Sequence, residues 1–297
     1  MFWSTKKKAP KKIRTIGQAL QEDKVPVWQN KYILEIETQV HTPDLKIKDT
    51  IRNPLDVVTT LVYDCSIAFY KQDTGNYLVL IDKVYKNKKD QTTLTVIEEL
   101  SQIIGRHANT VVYEIDTKTM LPVAIHNYED VVRLWQKDKK IIEEYYIGRP
   151  AQVLMHSTDQ KIMDQNRYTQ LLYRAFPNGI LVDTCCAYYQ PIKRPFTISS
   201  QIVPNGHVTL PIEIHTKSTE EFAFSAHSQE VLDIEMVKKT FQIKQSIPDK
   251  EYLLQTNLAC TLSLQPDKKS WDKGSWILEI DCKGVYHKRI HLTLTAL

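Results

Sequence analysis

From Val25 onward apolar and polar side chains alternate with a period of two, and no other pattern restricts the fold of this chain as strongly. Tyr32, Leu34 and Ile36 alternate with Ile33, Glu35 and Glu37, and Leu61, Tyr63, Cys65, Ile67 and Phe69 alternate with Val62, Asp64, Ser66, Ala68 and Tyr70. Successive strand residues point to opposite faces, so this pattern predicts sheet with one packed and one wet face, the habit of antiparallel pairing. A turn at Asp73-Thr74-Gly75-Asn76 makes 77–84 a hairpin partner, and 92–97 continues the meander. Later strands are expected at 180–188, 196–203, 208–214, 221–226, 252–264, 276–281 and 286–294. Residues 229–241 fit either state: Val231, Ile234 and Val237 suit a helix, while Leu232, Ile234 and Met236 suit a strand.

The stretch from Thr110 to Pro150 marks the core most sharply. Two short strands, 111–115 and 121–125, deliver the chain to Asn127, whose side chain can accept from an orphan N–H at the start of a helix over about 128–147. Asp130 sits at the third helical position, as in a capping box. Val131, Trp135, Ile142 and Tyr146 recur at helical spacing, Leu134, Ile141 and Tyr145 widen the stripe, and Gly148 and Pro150 stop it. A second helix is expected over about 159–176, with Ile162, Leu172 and Phe176 on one face, ended by Pro177-Asn178-Gly179.

One register can be specified. The stripe Phe196, Ile198, Ile202 must share a face with Val208, Leu210, Ile212 and Ile214, and a three-residue connection Pro204-Asn205-Gly206 achieves this by setting Ile202 opposite Val208 and Ile198 opposite Ile212. The expected class is therefore α+β, a mainly antiparallel, curved sheet with a central pair of helices. Its parts are a basic tail (1–24), N-terminal strands plus the helical pair (25–178) and a C-terminal antiparallel region (179–297), possible as one continuous domain.

Charge is concentrated in the tail. Lys6, Lys7, Lys8, Lys11, Lys12 and Arg14 hold six of the 39 basic side chains, leaving 33 against 35 acidic ones, so the body is near neutral. Nucleic-acid binding depends on clustered cations that neutralise phosphates, so a nucleic-acid-binding body is not expected. No apolar run is long enough to span a bilayer, and Met1-Phe2-Trp3 leads into lysines with no signal-peptide core. Five cysteines, Cys65, Cys185, Cys186, Cys260 and Cys282, lack C-x-x-C spacing and suit a reducing compartment, so the expected location is the cytoplasm. Cys185 and Cys186 read as neighbours on opposite faces of a strand.

No catalytic constellation emerges. The eight glycines are dispersed, so no Gly-rich phosphate loop or nucleophile elbow can be written, and no cofactor site is expected. His287 and His291 would lie roughly 13 Å apart on a strand, too far to chelate together. His215 and His227 are able to face each other across a hairpin, yet no Cys or carboxylate completes a metal set. The pairs Glu98-Glu99, Glu143-Glu144 and Glu220-Glu221 point apart on any regular element, as solvated faces do. Tyr145-Tyr146, Tyr188-Tyr189, Trp271 and Trp276 read first as core and edge packing groups and second as a partner or apolar-ligand surface.

The strand–turn–strand–helix unit that ends in Asn127-Tyr128-Glu129-Asp130-Val131-Val132-Arg133-Leu134-Trp135, followed by a helical pair, resembles uncharacterised cytoplasmic β-rich proteins of Bacteroidota and covers about residues 110–176. The order of long curved strands around central helices also resembles lipoprotein-carrier half-barrels of the LolA type. The first resemblance implies no activity; the second implies an apolar ligand. The leading expectation is a non-enzymatic protein that binds another protein, as a part of a bacterial secretion or contractile machine or as an immunity partner. A carrier of an apolar ligand in a curved-sheet cavity comes second, and an enzyme with a dispersed site third. Phe2 and Trp3, with Lys6, Lys7, Lys8, Lys11, Lys12 and Arg14, are the candidate partner contacts, able also to meet an anionic membrane surface peripherally.

Overall fold

The computed structural model describes residue 20 and residues 24–41, 57–86, 96–146, 148–175, 177–189, 197–203, 206–241, 243, 247–265 and 270–297. Its strands are β1 (Trp28–His41), β2 (Val57–Lys71), β3 (Tyr77–Tyr85), β4 (Thr110–Ile115), β5 (Pro122–Ile125), β6 (Thr197–Val203), β7 (Gly206–Lys217), β8 (Glu221–Leu232), β9 (Tyr252–Gln265), β10 (Ser270–Cys282) and β11 (Tyr286–Ala296). They form one open, curved sheet in the order β5-β4-β3-β2-β1-β11-β10-β9-β8-β7-β6, antiparallel throughout. Two meanders thus run outward from a central seam in which β1 pairs with β11, from Tyr32 opposite Ala296 to His41 opposite His287. The expected α+β class is what the chain adopts.

Alternation along each strand builds two unlike faces. On the inner face Leu61, Ile36, Leu292, Trp276, Cys260 and Phe224 form one cross-strand row from β2 to β8. On the outer face the row Gln39, Arg289, Glu279, Asn257, His227 is polar, with Arg289 3.4 Å from Glu279 and His227 2.6 Å from Asn257. Opposed pairs of this kind are the unit of sheet stabilisation. Gly274 permits the inner packing, because a Cβ there would meet the Trp276 ring at 2.6 Å and Leu262 at 2.8 Å.

The outer face is not polar everywhere. Ala68, Tyr70, Leu78, Leu80 and Val112 form a second cluster on β2–β4, and Leu20 is buried within it at 5% exposure. The continuous apolar run Leu78-Val79-Leu80-Ile81 carries that two-sided burial. Leu20, near the end of the basic tail, therefore packs against the outer face of the sheet.

Among the described residues, six helices and one 3-10 turn (Arg106–Ala108) lie against the inner face: α1 (Val96–Gly105), α2 (Tyr128–Tyr145), α3 (Arg149–Ile162), α4 (Gln165–Arg174), α5 (Asn178–Tyr189) and α6 (Ile234–Phe241). The expected strand over 92–97 is corrected: residues 92–95 lie outside the described residues, and Val96 opens α1. α2 forms as expected, but Asn127 makes no side-chain cap. Its Oδ1 accepts from the Val112 N–H at 2.9 Å and its Nδ2 donates to the Thr110 carbonyl at 2.9 Å, so it clamps the helix start to β4. Asp130 pairs with Arg133 at 2.6 Å. Val131, Trp135 and Ile142 are buried, whereas Leu134 and Tyr145 are 38% and 70% exposed, so the stripe is narrower than expected.

The single helix expected over 159–176 is two. Asp164 accepts from the Arg167 N–H at 3.0 Å and starts α4, while Gly148 and Pro150 begin α3 as well as ending α2. Pro177-Asn178-Gly179 starts a further helix instead of a strand. Residues 180–188 belong to α5, in which every residue from Asn178 to Ala187 is buried. Cys185 and Cys186 are thus adjacent on a fully enclosed helix, not on opposite faces of a strand. Gly179 lets α5 approach α4, since a Cβ there would fall 2.0 Å from the Tyr173 carbonyl oxygen.

At the 229–241 ambiguity both readings hold in turn: β8 runs to Leu232 and α6 follows. The β6–β7 register is corrected. Ile198 lies opposite Leu210 and Ser200 opposite Val208; an irregularity follows, and pairing resumes at Val203 and Gly206. Two residues, not three, therefore separate the paired ends.

Trp135 packs edge-on to His107 at 5.6 Å and donates its indole N–H to Asp159 Oδ1 at 2.8 Å, joining α2 to α3. Trp135→Ala is expected to cost about 3–5 kcal/mol in urea unfolding, as for other large core truncations. A cost under about 1 kcal/mol would show that the ring holds nothing together.

Candidate ligand cleft

The β2–β3 hairpin sets Tyr63 opposite Tyr85 and Cys65 opposite Lys83, and since Cys65 points inward Lys83 does too. At that level the strands run past the main helical layer. A cleft of about 1050 Å3 opens between them and the helices. Leu61, Tyr63 and Tyr85 line its sheet side, and Ile103 of α1, Tyr146 after α2 and Leu172 of α4 line its helix side. Tyr63 and Tyr85 meet edge to face at 5.7 Å.

Three charged side chains line the space: Lys83, Arg106 and Glu99. Two are engaged. Arg106 lies 3.3 Å from the buried Asp138, and Glu99 accepts from the Tyr146 hydroxyl at 3.1 Å. Lys83 Nζ donates to Asn178 Oδ1 at 2.5 Å and lies 5.9 Å from the Tyr63 ring centre. Asn178 in turn donates to the Tyr113 hydroxyl at 3.3 Å. Among the described residues no carboxylate forms an ion pair with Lys83. Burial pulls its ammonium from 10.5 down to about 8, against a small opposing contribution from Cys65.

The other chemistry-bearing groups serve packing. Burial pushes the Cys65 thiol up to about 12, and Cys185 and Cys186 well above the ordinary range, so these sulfurs stay protonated. His107 is buried between Trp135 and Tyr168, and desolvation lowers it to about 4. Asp183 of α5 accepts from the Tyr173 hydroxyl of α4 at 2.5 Å, and burial pushes its carboxyl up to about 8 despite that bond.

Among the described residues no three His, Cys, Asp or Glu side chains converge as metal ligands, and no helix is long and apolar enough to cross a membrane. His215 and His227 do not face each other; His215 lies 2.6 Å from Ser225, and His227 bonds Asn257 on the next strand. His291 contacts Ser275 at 3.0 Å and His287 lies 3.6 Å from Asp281. Among the described side chains of the paired carboxylates, Glu99 reaches the cleft. Phe2, Trp3, Lys6, Lys7, Lys8, Lys11, Lys12 and Arg14 lie outside the described residues. Sequence reasoning missed Lys83, yet a signal existed: it is the first charged residue in phase with Val79 and Ile81 on an inward-facing strand.

No family model matches the chain, and no curated protein does. Among solved structures it is similar to one titled "Lipid-protein interactions in lipovitellin", at a TM-score of 0.39 and 7% identity, over 92% of this chain and 25% of that one. The chain thus spans about a quarter of that structure's length, and a likeness this loose carries no functional inference. Neither the Bacteroidota nor the LolA-type resemblance gains a relative from these matches.

Two titrations test the electrostatics. Below about 8 the folded chain holds Lys83 charged against its burial, and between 8 and 10.5 it releases a proton that the unfolded chain keeps. The penalty is therefore fully present at neutral pH and relieved as pH rises. Lys83→Met is expected to raise the melting temperature at pH 7, with a gain that shrinks towards pH 10; a gain independent of pH would show that the charge is not what costs. For Asp183 the window lies between 3.8 and about 8, where the fold keeps a proton that the unfolded chain has lost. Stability then falls with rising pH by up to about 1.4 kcal/mol per unit. Asp183→Asn removes that slope, so urea midpoints of variant and wild type should diverge from pH 4 to pH 8 in the variant's favour, and parallel curves would refute a protonated Asp183.

Proposed function

We propose that this is a binding protein for a small, largely apolar molecule held in the cleft between the β2–β3 ends and the helices. What supports the reading is the coincidence of an open space of about 1050 Å3 with aromatic and aliphatic walls, Tyr63, Tyr85, Leu61, Ile103 and Leu172. Small-molecule sites fall at roughly 300–1,000 Å3 and combine apolar lining with a few placed polar groups. The place differs from the carrier expected from sequence: the middle of the inner face is filled by α5, so a ligand sits beside the enclosed core instead of replacing it. The role is one of holding, because Glu99 and Arg106 are already paired and the other polar groups that line the cleft are one amine, amides, phenols and the hydroxyls of Thr59 and Thr60.

A protein-binding role, the first expectation from sequence, stands second. The surface available for it is the outer face of β1, β11, β10 and β9, whose rows of Gln, Thr, Ser, Glu and His match a solvated face more than the aromatic-rich centre of an interface. A cytoplasmic setting, and a basic tail that meets an anionic surface, are compatible with either role.

The uncharged dye N-phenyl-naphthylamine tests the first reading. Its fluorescence is expected to rise and shift to the blue on addition of the wild-type protein. Leu172→Trp and Ile103→Trp, which fill the cleft, are expected to suppress that response by about tenfold. A response undiminished in both variants would move the ligand elsewhere and end the cleft assignment.

A further inference from the structure

We infer that the molecule bound in the cleft carries a single carboxylate on an apolar body, and that Lys83 is its counter-ion. The inference rests on the cleft reading above and adds the chemistry of the head group.

Lys83 Nζ has three N–H donors, and among the described residues one is spent on Asn178 Oδ1. Two remain, on a group that faces the open space, and buried or half-buried charges are ordinarily paired. The neighbours do not supply the pair. Cys65 stays a neutral thiol, Tyr63 offers a ring face, and the Asn178 amide contributes a dipole. Among the described residues the one carboxylate on the cleft wall, Glu99, accepts from Tyr146, and the one other cation, Arg106, is held by Asp138. Among the described residues the cleft therefore presents one positive charge with no counter-charge, beside the apolar side chains of its walls.

That arrangement selects among ligands. One ammonium without a counter-charge matches the single charge of a carboxylate, whereas a phosphate head, with more charge, would call for a second cation, and among the described residues the other cation on the wall, Arg106, is already paired. A neutral apolar molecule would leave the ammonium desolvated and unmatched. The body of the ligand lies along Leu61, Ile103 and Leu172, and the aromatic pair Tyr63–Tyr85 flanks the head.

The test is competition for the bound dye by dodecanoate and by dodecanol, which share a chain and differ in charge. In the wild type dodecanoate should displace the dye at a concentration about tenfold lower than dodecanol. The ratio, not the absolute affinity, is the readout. Lys83→Met should bring it to about one. Asn178→Asp should do the same by placing a carboxylate beside the ammonium, so that the result survives if either variant fails to fold. A wild-type ratio near one, with the dye response intact, overturns the carboxylate assignment and leaves the cleft reading standing. A tenfold ratio that persists in either folded variant shows that another group selects the charge and overturns the role of Lys83. Absence of any dye response in the wild type overturns the cleft reading and this inference together.

Discussion

The sheet curves because it has something to curve around. α5 is twelve residues of helix in which every residue from Asn178 to Ala187 is buried, and strands from both meanders pack on it. Trp276 of β10 donates to Thr184 at 3.0 Å, Tyr189 stacks between Trp28 of β1 and Phe69 of β2 at 5.2 Å from each, Tyr188 meets Phe222 of β8 at 5.6 Å, and Lys217 of β7 donates to the Ala187 carbonyl at 3.1 Å. An ammonium at a helix C-terminus also opposes the dipole there favourably. An apolar segment of this kind is stable only if every side is covered, and a flat sheet covers one side alone. Twisting and curling the strands about α5 supplies the remainder, and α4 closes the rest through the close approach at Gly179.

The cleft is the geometric remainder of that solution. α5 is roughly 18 Å long, shorter than the strands it lies across, so the inner face is filled at its centre and left open where β2 and β3 run on. Asn178, the first residue of α5, stands at the boundary and reaches both ways: to Tyr113 in the packed region and to Lys83 in the open one. The same helix thus determines where the core ends and orients the one amine beyond it.

How much of this was legible in the chain follows from which faces are wet. β1, β9, β10 and β11 could be read from alternation because their outer sides are polar, and α2 because Val131, Trp135 and Ile142 lie opposite a charged face. α5 could not: Ile180, Val182 and Thr184 favour strands, and with all sides buried no periodicity survives to contradict them. The break between α3 and α4 was hidden because Asp164, a good cap, lies within a run that is polar on most sides. Of the cleft, the aromatic residues were visible but not their convergence, which depends on pairing Tyr63 with Tyr85 and on helices far along the chain.

The seam between β1 and β11 bears on how the molecule assembles. Its partners, such as Leu34 and Leu294, are separated by most of the chain, so closing it carries the largest loop entropy of any pairing in the sheet. Each meander can zip locally, hairpin by hairpin, but until β11 joins, β1 and β10 each expose an unpaired edge beside an apolar face. Bare edges of this kind invite pairing with other chains. Within this sheet β11 follows every other described strand in the chain, so during synthesis β1 and β10 are made before the strand that joins them. The centre of the sheet thus rests on the pairing with the greatest sequence separation, the kind that slows folding most.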